Sequence, residues 1–151
     1  MRFIHPIAGT IALLCICAFW LSTIAAEAFG TRAMVVTVKT GIPWGFIILI
    51  PALALTGISG VRLTKNKGSR LSRRKLRRMP IIALNGLLIL IPSALYLASA
   101  ARAGSFDNAF IAVQSIELIA GAINIMLLGL NFRDGFRLGG RFSVMPRKAQ
   151  S

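Results

Sequence analysis

The sequence predicts an all-α integral membrane protein, a four-helix bundle whose N- and C-termini both lie in the cytoplasm. Three observations lead to this fold class: an apolar composition, four apolar stretches of spanning length, and basic residues gathered on one side of them. Of the 151 residues, 56% are hydrophobic and only 15% are charged, and the mean hydropathy is +0.74. Soluble domains average about 25% charged residues, and a soluble domain of this composition would expose too much apolar surface.

The four spans belong to one predicted domain that covers residues 1–151. A helix needs about 20 apolar residues to cross about 30 Å of hydrocarbon, and backbone groups in lipid have to pair within their own segment. The stretches that meet this length are 6–26, 42–61, 80–101 and 109–130.

Prolines and polar residues predict where these helices bend and end. Pro51 and Pro92 lie inside the second and third spans and predict kinks. Ser105 or Asp107 is expected to cap the start of the fourth helix, and Gly135 is expected to close its end.

Two segments beside the first apolar run have alternative interpretations. Ala26-Glu27-Ala28 is similar to the cleavage site of a secretory signal, but the apolar run before it exceeds the about 7–15 residues of such signals. We therefore interpret the run as a retained span. The outer-loop segment 34–38 is compatible with a short strand or with an interfacial segment, and its periodicity does not decide between them.

The distribution of basic residues predicts the orientation. Arg2, the loop 62–79 and the tail 131–151 together carry 15 of the 18 Lys and Arg residues. Short cytoplasmic loops carry the excess of positive charge in membrane proteins. We therefore expect a multi-pass protein of a bacterial-type cytoplasmic (inner) membrane. The remaining basic residues, on the opposite side, are Arg32, Lys39 and Arg102.

The basic loop and tail predict contact with the lipid bilayer and with anionic lipid headgroups, which attract Lys and Arg by about 1 kcal/mol each near the surface. The loop 62–79 has no aromatic residue for base stacking and no nucleic-acid motif, so nucleic acid is not an expected partner. The tail alternates Phe with Arg between 131 and 142, which is typical of a segment lying in the interface.

Glu117 is the one carboxylate well inside a predicted span, eight or nine residues from each end. We expect no Lys or Arg at its depth. It would then be a neutral acid that is hydrogen-bonded to Asn, Ser or Tyr, or that lines a wet cavity, and proton handling is the functional hypothesis. Helical spacing places further residues on its face: Gln114, Gly121, Asn124, Leu128 and Asn131.

Similar polar positions on the other spans suggest a polar seam through the bundle. The second span contributes Thr56 and Ser59. The third span contributes Asn85, Pro92 or Ser93, Tyr96 and Ser99. The seam is either a set of interhelical hydrogen bonds that pack the helices or a polar path in which Glu117 and Tyr96 are the candidate catalytic residues.

His5 is the single histidine and lies at the cytoplasmic start of the first span. This position is typical of a helix cap or a headgroup contact. The functional interpretation is an axial ligand of haem b iron, with Arg2 binding the propionates. Asn85, Asn124 and Met126 lie within about two helical turns of the same depth and complete the predicted cofactor site.

The second iron ligand has three candidate sources. Met126 could supply it, a second His5 could come from a symmetric partner, or the iron could be five-coordinate. Gly9 and Ala12 would let two first helices approach closely in such a homo-oligomer.

The segment His5-Pro6-Ile7-Ala8-Gly9 at the start of a four-helix bundle resembles the small bacterial b-type membrane cytochromes. It is similar also to many four-span inner-membrane proteins of unknown role. The resemblance implies haem b and an oxidoreductase-type function, with electrons passing between a quinol or another redox partner and a soluble acceptor. Those cytochromes usually carry two or more ligand histidines, so bis-histidine ligation within one copy of this chain is impossible.

Two other function classes remain open. The protein could be a non-enzymatic partner subunit, lipid-binding protein or scaffold whose polar seam only packs helices. A small transporter would require a larger oligomer, because four helices enclose little space.

Overall fold

The computed structural model describes residues 4–65 and 70–140, with side chains described for 5–62 and 77–134. Helix follows helix along the chain, and no strand occurs in these ranges. A π-helical segment, Gly86–Leu90, joins α3 to α4 without a break. The α-helices are α1 (Ile4–Phe29), α2 (Arg32–Lys65), α3 (Arg70–Asn85), α4 (Ile91–Arg102) and α5 (Asn108–Gly140).

Four rods are long and apolar enough to cross a membrane, and each contains one predicted span. The third rod combines the end of α3, the π segment and α4, and is called the α3–α4 rod below. The helical membrane-protein class is confirmed to this extent. The spanning stretches are His5–Phe29, Arg32–Arg62, Arg77–Arg102 and Asn108–Asp134.

The rods form a ring. The helix α1 packs against α2 and α5, and the α3–α4 rod packs against the same two helices from the other side. Within the described ranges, no Cα of α2 lies within 8 Å of a Cα of α5, and the same is true of α1 and the α3–α4 rod. The helices α2 and α5 are therefore diagonal neighbours, and only long side chains can join them.

The two ends of the ring differ. Short connections, at residues 30–31 and 103–107, close the end that we call the short-turn end. The start of α1, the end of α2, the start of α3 and the end of α5 lie at the other end, which we call the basic end. Residues 66–69 and 141–151, with part of the predicted loop and tail, lie outside the described residues.

Several predicted boundaries change. The helix α2 begins at Arg32, ten residues before the predicted start at residue 42, so the segment 34–38 is helical and is not a strand. The helix α5 continues past Gly135 to Gly140, so the predicted stop at Gly135 is wrong. The cap is confirmed at Asp107, whose Oδ1 accepts the backbone N–H of Phe110 at 2.9 Å.

The π segment accommodates the proline that was predicted to kink the third span. Pro92 lacks an N–H and cannot complete the α-helical ladder. Immediately before it, the Ile91 N–H donates to the carbonyl of Gly86, five residues back. This wide turn adds one residue, so the inner face of α4 lies one position later than straight α-helical spacing predicts. The buried residues of α4 are Ala94, Leu97, Ala98 and Ala101.

Two apolar clusters fill the interior at different depths. The first lies toward the basic end and consists of Ala12, Ile16, Leu49, Ala52, Ile82 and Leu128. The second closes the short-turn end and consists of Ala26, Val35, Leu97, Ala101 and Phe110. Polar side chains are found between and beyond these clusters.

Candidate functional site

An ion pair crosses the centre of the ring. The Lys39 Nζ of α2 lies 2.5 Å from the Glu117 Oε2 of α5. The Lys39 side chain is 1% exposed and that of Glu117 is 12% exposed. Because α2 and α5 are diagonal and have no close backbone contact, this pair is a side-chain link between two helices whose backbones stay apart.

The expectation that no basic residue reaches Glu117 is wrong, and with it the expectation of an acid bonded to Asn, Ser or Tyr. Lys39 was assigned to an outer loop, but α2 already begins at Arg32. Seven residues of helix carry Lys39 about 10 Å into the bundle, and nine residues carry Glu117 about 14 Å beyond the start of α5. The two charges therefore meet at one depth, in the half of the bundle nearer the short-turn end.

A cavity of about 50 Å³ lies beside this ion pair. Glu117 supplies the charged group of its wall, and all four rods contribute to the lining. The π segment takes part through Leu90, which places the widened turn at the cavity. The lining residues are Ile16, Phe19, Trp20, Thr23, Ile42, Phe46, Leu49, Leu90, Ala94, Glu117, Leu118 and Gly121.

Hydrogen-bonding capacity around the cavity is only partly used. An ammonium group has three donors, and within the described ranges the Lys39 Nζ has one acceptor, Glu117 Oε2. Gln114, one turn from Glu117 toward the short-turn end, is more than nine-tenths buried, and neither its Nε2 nor its Oε1 has a partner there. Gln114 is not among the residues that line the cavity, and ordered water is the usual partner of a buried polar group that lacks a protein partner.

Asn85 and Asn124, which the sequence placed in the seam, bond to each other. The Asn85 Nδ2 donates to Asn124 Oδ1 at 2.9 Å and to the carbonyl of Ala120 at 2.8 Å. The Asn124 Nδ2 donates in turn to the carbonyl of Ile82 at 3.4 Å. Asn124 is completely buried. These contacts tie α3 to α5 just below the cavity and are ordinary interhelical packing bonds.

Tyr96 lies away from this interior. Its side chain is 43% exposed, whereas the next residue, Leu97, is completely buried. Ser99 is exposed as well. The predicted seam continued straight α-helical spacing from Asn85, and the extra residue of the π segment turns Tyr96 and Ser99 outward. The expectation that Tyr96 shares a face with Asn85 is therefore wrong.

His5 contacts α2 near the basic end. Its Nδ1 lies 2.9 Å from the Ser59 Oγ and 3.1 Å from the carbonyl oxygen of Thr56. Gly60 packs against the imidazole of His5. A Cβ at position 60 would lie 3.2 Å from His5 Cε1 and 3.0 Å from Met79 Sδ. The sulfur near His5 thus belongs to Met79, a residue that the sequence did not single out.

The other residues of the predicted haem site are not gathered around His5 in one chain. Met126 is 58% exposed on α5, while Asn85 and Asn124 bond to each other. Arg2 lies outside the described residues. The His5 contacts with α2 involve Nδ1, and in a metal-binding histidine one ring nitrogen commonly bonds such an oxygen while the other binds the metal. Haem b with His5 as a ligand stays a prediction from the sequence.

The surface suggested for pairing two first helices is already used inside the chain. Ala12 is completely buried in the core. A Cβ on Gly9 would lie 3.7 Å from the Cγ2 of Thr56, so this glycine faces α2. The expectation that Gly9 and Ala12 form the contact of a homo-oligomer is therefore wrong, and these small residues serve the packing of α1 on α2.

A second ion pair lies at the basic end. The Arg78 Nη1 donates to Asp134 Oδ2 at 2.9 Å, with exposures of 22% and 4%. The Arg133 Nε lies 3.9 Å from the other carboxylate oxygen. One turn earlier on α5, Asn131 is buried and neither its Oδ1 nor its Nδ2 has a partner among the described residues.

Comparisons of the chain with protein-family models, with curated proteins and with solved structures found no match. The candidate site therefore rests on its own geometry. Its centre is the Lys39–Glu117 pair and the adjoining cavity, which we call the cavity site below. The sequence identified Glu117 and missed Lys39, although extending the second helix through segment 34–38 to Arg32 would have carried Lys39 into the bundle.

Proposed function

We propose that this chain is a proton-handling multi-pass membrane protein in which Glu117 accepts and releases a proton beside a hydrated cavity. The observation that carries the proposal is the cavity site: a carboxylate paired with a fully buried ammonium across the ring, with open space next to it. Ionisable groups inside a membrane protein are costly, and they commonly mark ion or proton pathways.

Stability alone is a weak reason for such a pair. Removing two charges from water costs several kcal/mol per ion, and an apolar pair of similar volume often packs as well or better. A cavity needs roughly 10–15 Å³ to hold one water, so about 50 Å³ has space for a few. Water in this space would give the Glu117 carboxylate a route for proton exchange.

The chemistry needs only the residues of the cavity site. A proton delivered by cavity water converts the Glu117 carboxylate into a neutral acid and weakens its attraction to Lys39. Loss of the proton restores the ion pair. Because α2 and α5 have no close backbone contact, opening the pair also loosens the link between these two helices. Proton binding is thereby coupled to the distance between α2 and α5.

Infrared spectroscopy of the protein in liposomes tests this proposal. The chain has four carboxylate side chains, so we expect a protonated-carboxyl signal that grows as the pH is lowered and whose Glu117 component is lost in Glu117→Gln. The matched control is Asp134→Asn, which removes the buried carboxylate at the basic end and should leave the Glu117 component unchanged. A Glu117 carboxylate that stays ionised throughout the pH range of the folded protein would overturn the proposal.

A second candidate function is that of a non-enzymatic membrane subunit whose polar groups only hold helices together. The Asn85–Asn124 pair favours it, because this contact joins two side-chain amides that do not line the cavity. The same titration separates the two candidates, since a packing role requires no proton exchange at Glu117.

The remaining functional predictions extend this proposal. We propose a bacterial-type cytoplasmic membrane, with both termini inside and anionic lipid headgroups at the basic end, supported by the exposed Arg62, Arg77 and Arg133 at that end. Haem b, a quinol or other redox partner, electron transfer and a homo-oligomer stay predictions from the sequence. The visible spectrum of the infrared sample tests the haem directly.

A further inference from the structure

We infer that the cavity site binds a small monovalent anion, of the size of chloride or formate, together with the proton on Glu117. The inference rests on the proposed function and adds the class of ligand. Three observations carry it: the charge balance of the pair, the unused hydrogen-bond donors, and the cavity volume.

Charge balance is the first observation. The Lys39 ammonium and the Glu117 carboxylate neutralise each other. Protonation of Glu117 would leave the ammonium alone, and Lys39 is 1% exposed. An unpaired buried charge is far more costly than a paired one. A monovalent anion that enters with the proton would restore neutrality, so the site has two charge-balanced states.

Charged neighbours do not disturb this balance. The residues that line the cavity come from α1, α2, the π segment, α4 and α5. Among the described residues that line it or touch the pair, the titratable groups are Lys39 and Glu117.

Unused donors are the second observation. The Lys39 Nζ has two N–H groups without an acceptor in the described ranges, since its one bond is to Glu117. The hydroxyl of Thr23, a buried residue of the cavity lining, has no hydrogen bond there either. Gln114 lies outside the cavity lining and has both an unpartnered Nε2 donor and an unpartnered Oε1 acceptor, so it favours neither kind of ligand. The groups that can donate to an anion here are the Lys39 ammonium and the Thr23 hydroxyl.

Cavity volume is the third observation. A space of about 50 Å³ is sufficient for a monatomic or triatomic anion. The walls include Phe19, Trp20 and Phe46, so the indole of Trp20 borders the space that the ligand would enter. Trp44, the other tryptophan of the chain, is exposed on the outside of α2.

Tryptophan fluorescence of the Trp44→Phe variant in detergent therefore reports on the cavity through Trp20. Sodium chloride and sodium formate are the probes, and sodium gluconate at equal ionic strength is the size control. We expect saturable changes with chloride and formate at acidic pH, weaker binding as the pH rises, and no saturable change with gluconate. Equal responses to all three salts, or none to any, would overturn the anion site.

Two further variants in the same background sharpen the test. Glu117→Gln removes the titrating group but keeps the ammonium, so we expect anion binding that no longer depends on pH. Lys39→Met removes the counter-charge, so we expect no saturable binding. Unchanged binding in Lys39→Met would contradict the inference, and circular dichroism shows whether each variant is folded.

The infrared titration keeps the two proposals distinguishable. If Glu117 titrates but neither salt binds at any pH, the anion inference fails and proton handling stands. If Glu117 never titrates, proton handling fails, and any anion binding that remains would be independent of pH.

Discussion

Two ion pairs among the described residues are built in opposite ways. Lys39 and Glu117 lie on diagonal helices in the interior, next to open space. Arg78 and Asp134 lie on packed neighbours, α3 and α5, at the basic end, where Arg78 is partly exposed and Arg133 approaches the same carboxylate. In the first pair each charge has a single counter-charge. In the second pair, Arg133 is a further cation near the Asp134 carboxylate.

This difference separates a contact that reinforces packing from one that works against it. Neighbouring helices already touch, so the pair at the basic end adds to an existing interface. The cavity site instead crosses a gap, and its charges lack the hydrogen bonds that usually accompany a buried ion pair. We therefore expect the two pairs to respond differently to the same kind of substitution.

The largest effect is expected for Lys39→Met. It leaves the Glu117 carboxylate without its counter-charge in the interior, and breaking a buried pair from one side costs about 3–5 kcal/mol. Combining it with Glu117→Leu removes both charges and should restore most of the loss. Unfolding of both variants in detergent, followed by circular dichroism above neutral pH, measures the difference. If the double variant is as unstable as Lys39→Met, the loss of stability comes from the change in side-chain volume and not from the unpaired charge.

A smaller effect is expected when the walls of the cavity site are crowded. Gly45 of α2 has no space for a Cβ, because the ring of Phe19 occupies it. Gly45→Ala should therefore displace that ring and cost about 1–3 kcal/mol. The matched control is Gly57→Ala on the same helix, where a Cβ would meet nothing within 4 Å. Equal stability of the two variants in the same unfolding assay would mean that the Phe19 ring moves aside at no cost in stability.

The smallest effect is expected at the basic end. Arg78→Leu removes a charged hydrogen bond worth about 1.5 kcal/mol, and the nearby Arg133 compensates in part. The control is Arg77→Leu, an exposed neighbour, which should change the unfolding free energy by less than about 0.5 kcal/mol. A loss in Arg78→Leu as large as that in Lys39→Met would erase the distinction between the two pairs.

The parts of the fold that the sequence predicts are those where helical spacing is uninterrupted. On α5, the predicted inner face is buried at Gln114, Asn124, Leu128 and Asn131, and Glu117 is mostly buried. Composition and length were sufficient for the four rods, because the cost of unpaired backbone in lipid leaves few alternatives to helices.

The missed features each depend on a local departure from that spacing. Lys39 was overlooked because Thr and β-branched residues in segment 34–38 obscured the early start of α2. Tyr96 was misplaced because the π segment cannot be deduced from periodicity. The indole of Trp20 donates to the carbonyl of Leu118 at 2.9 Å, a contact that depends on the tertiary arrangement and that helical spacing alone does not indicate.

The single extra residue in the π segment of the α3–α4 rod determines which side chains of α4 face the interior. Each residue turns an α-helix by about 100°, so a one-residue deletion within Gly86–Leu90 would swing the hydroxyls of Ser93 and Tyr96 toward the interior and carry Ala94 and Leu97 toward the lipid. The polarity of the bundle interior at α4 is thus governed by how many residues precede it as much as by which residues they are. Insertions and deletions here would remodel the protein more than most point substitutions could.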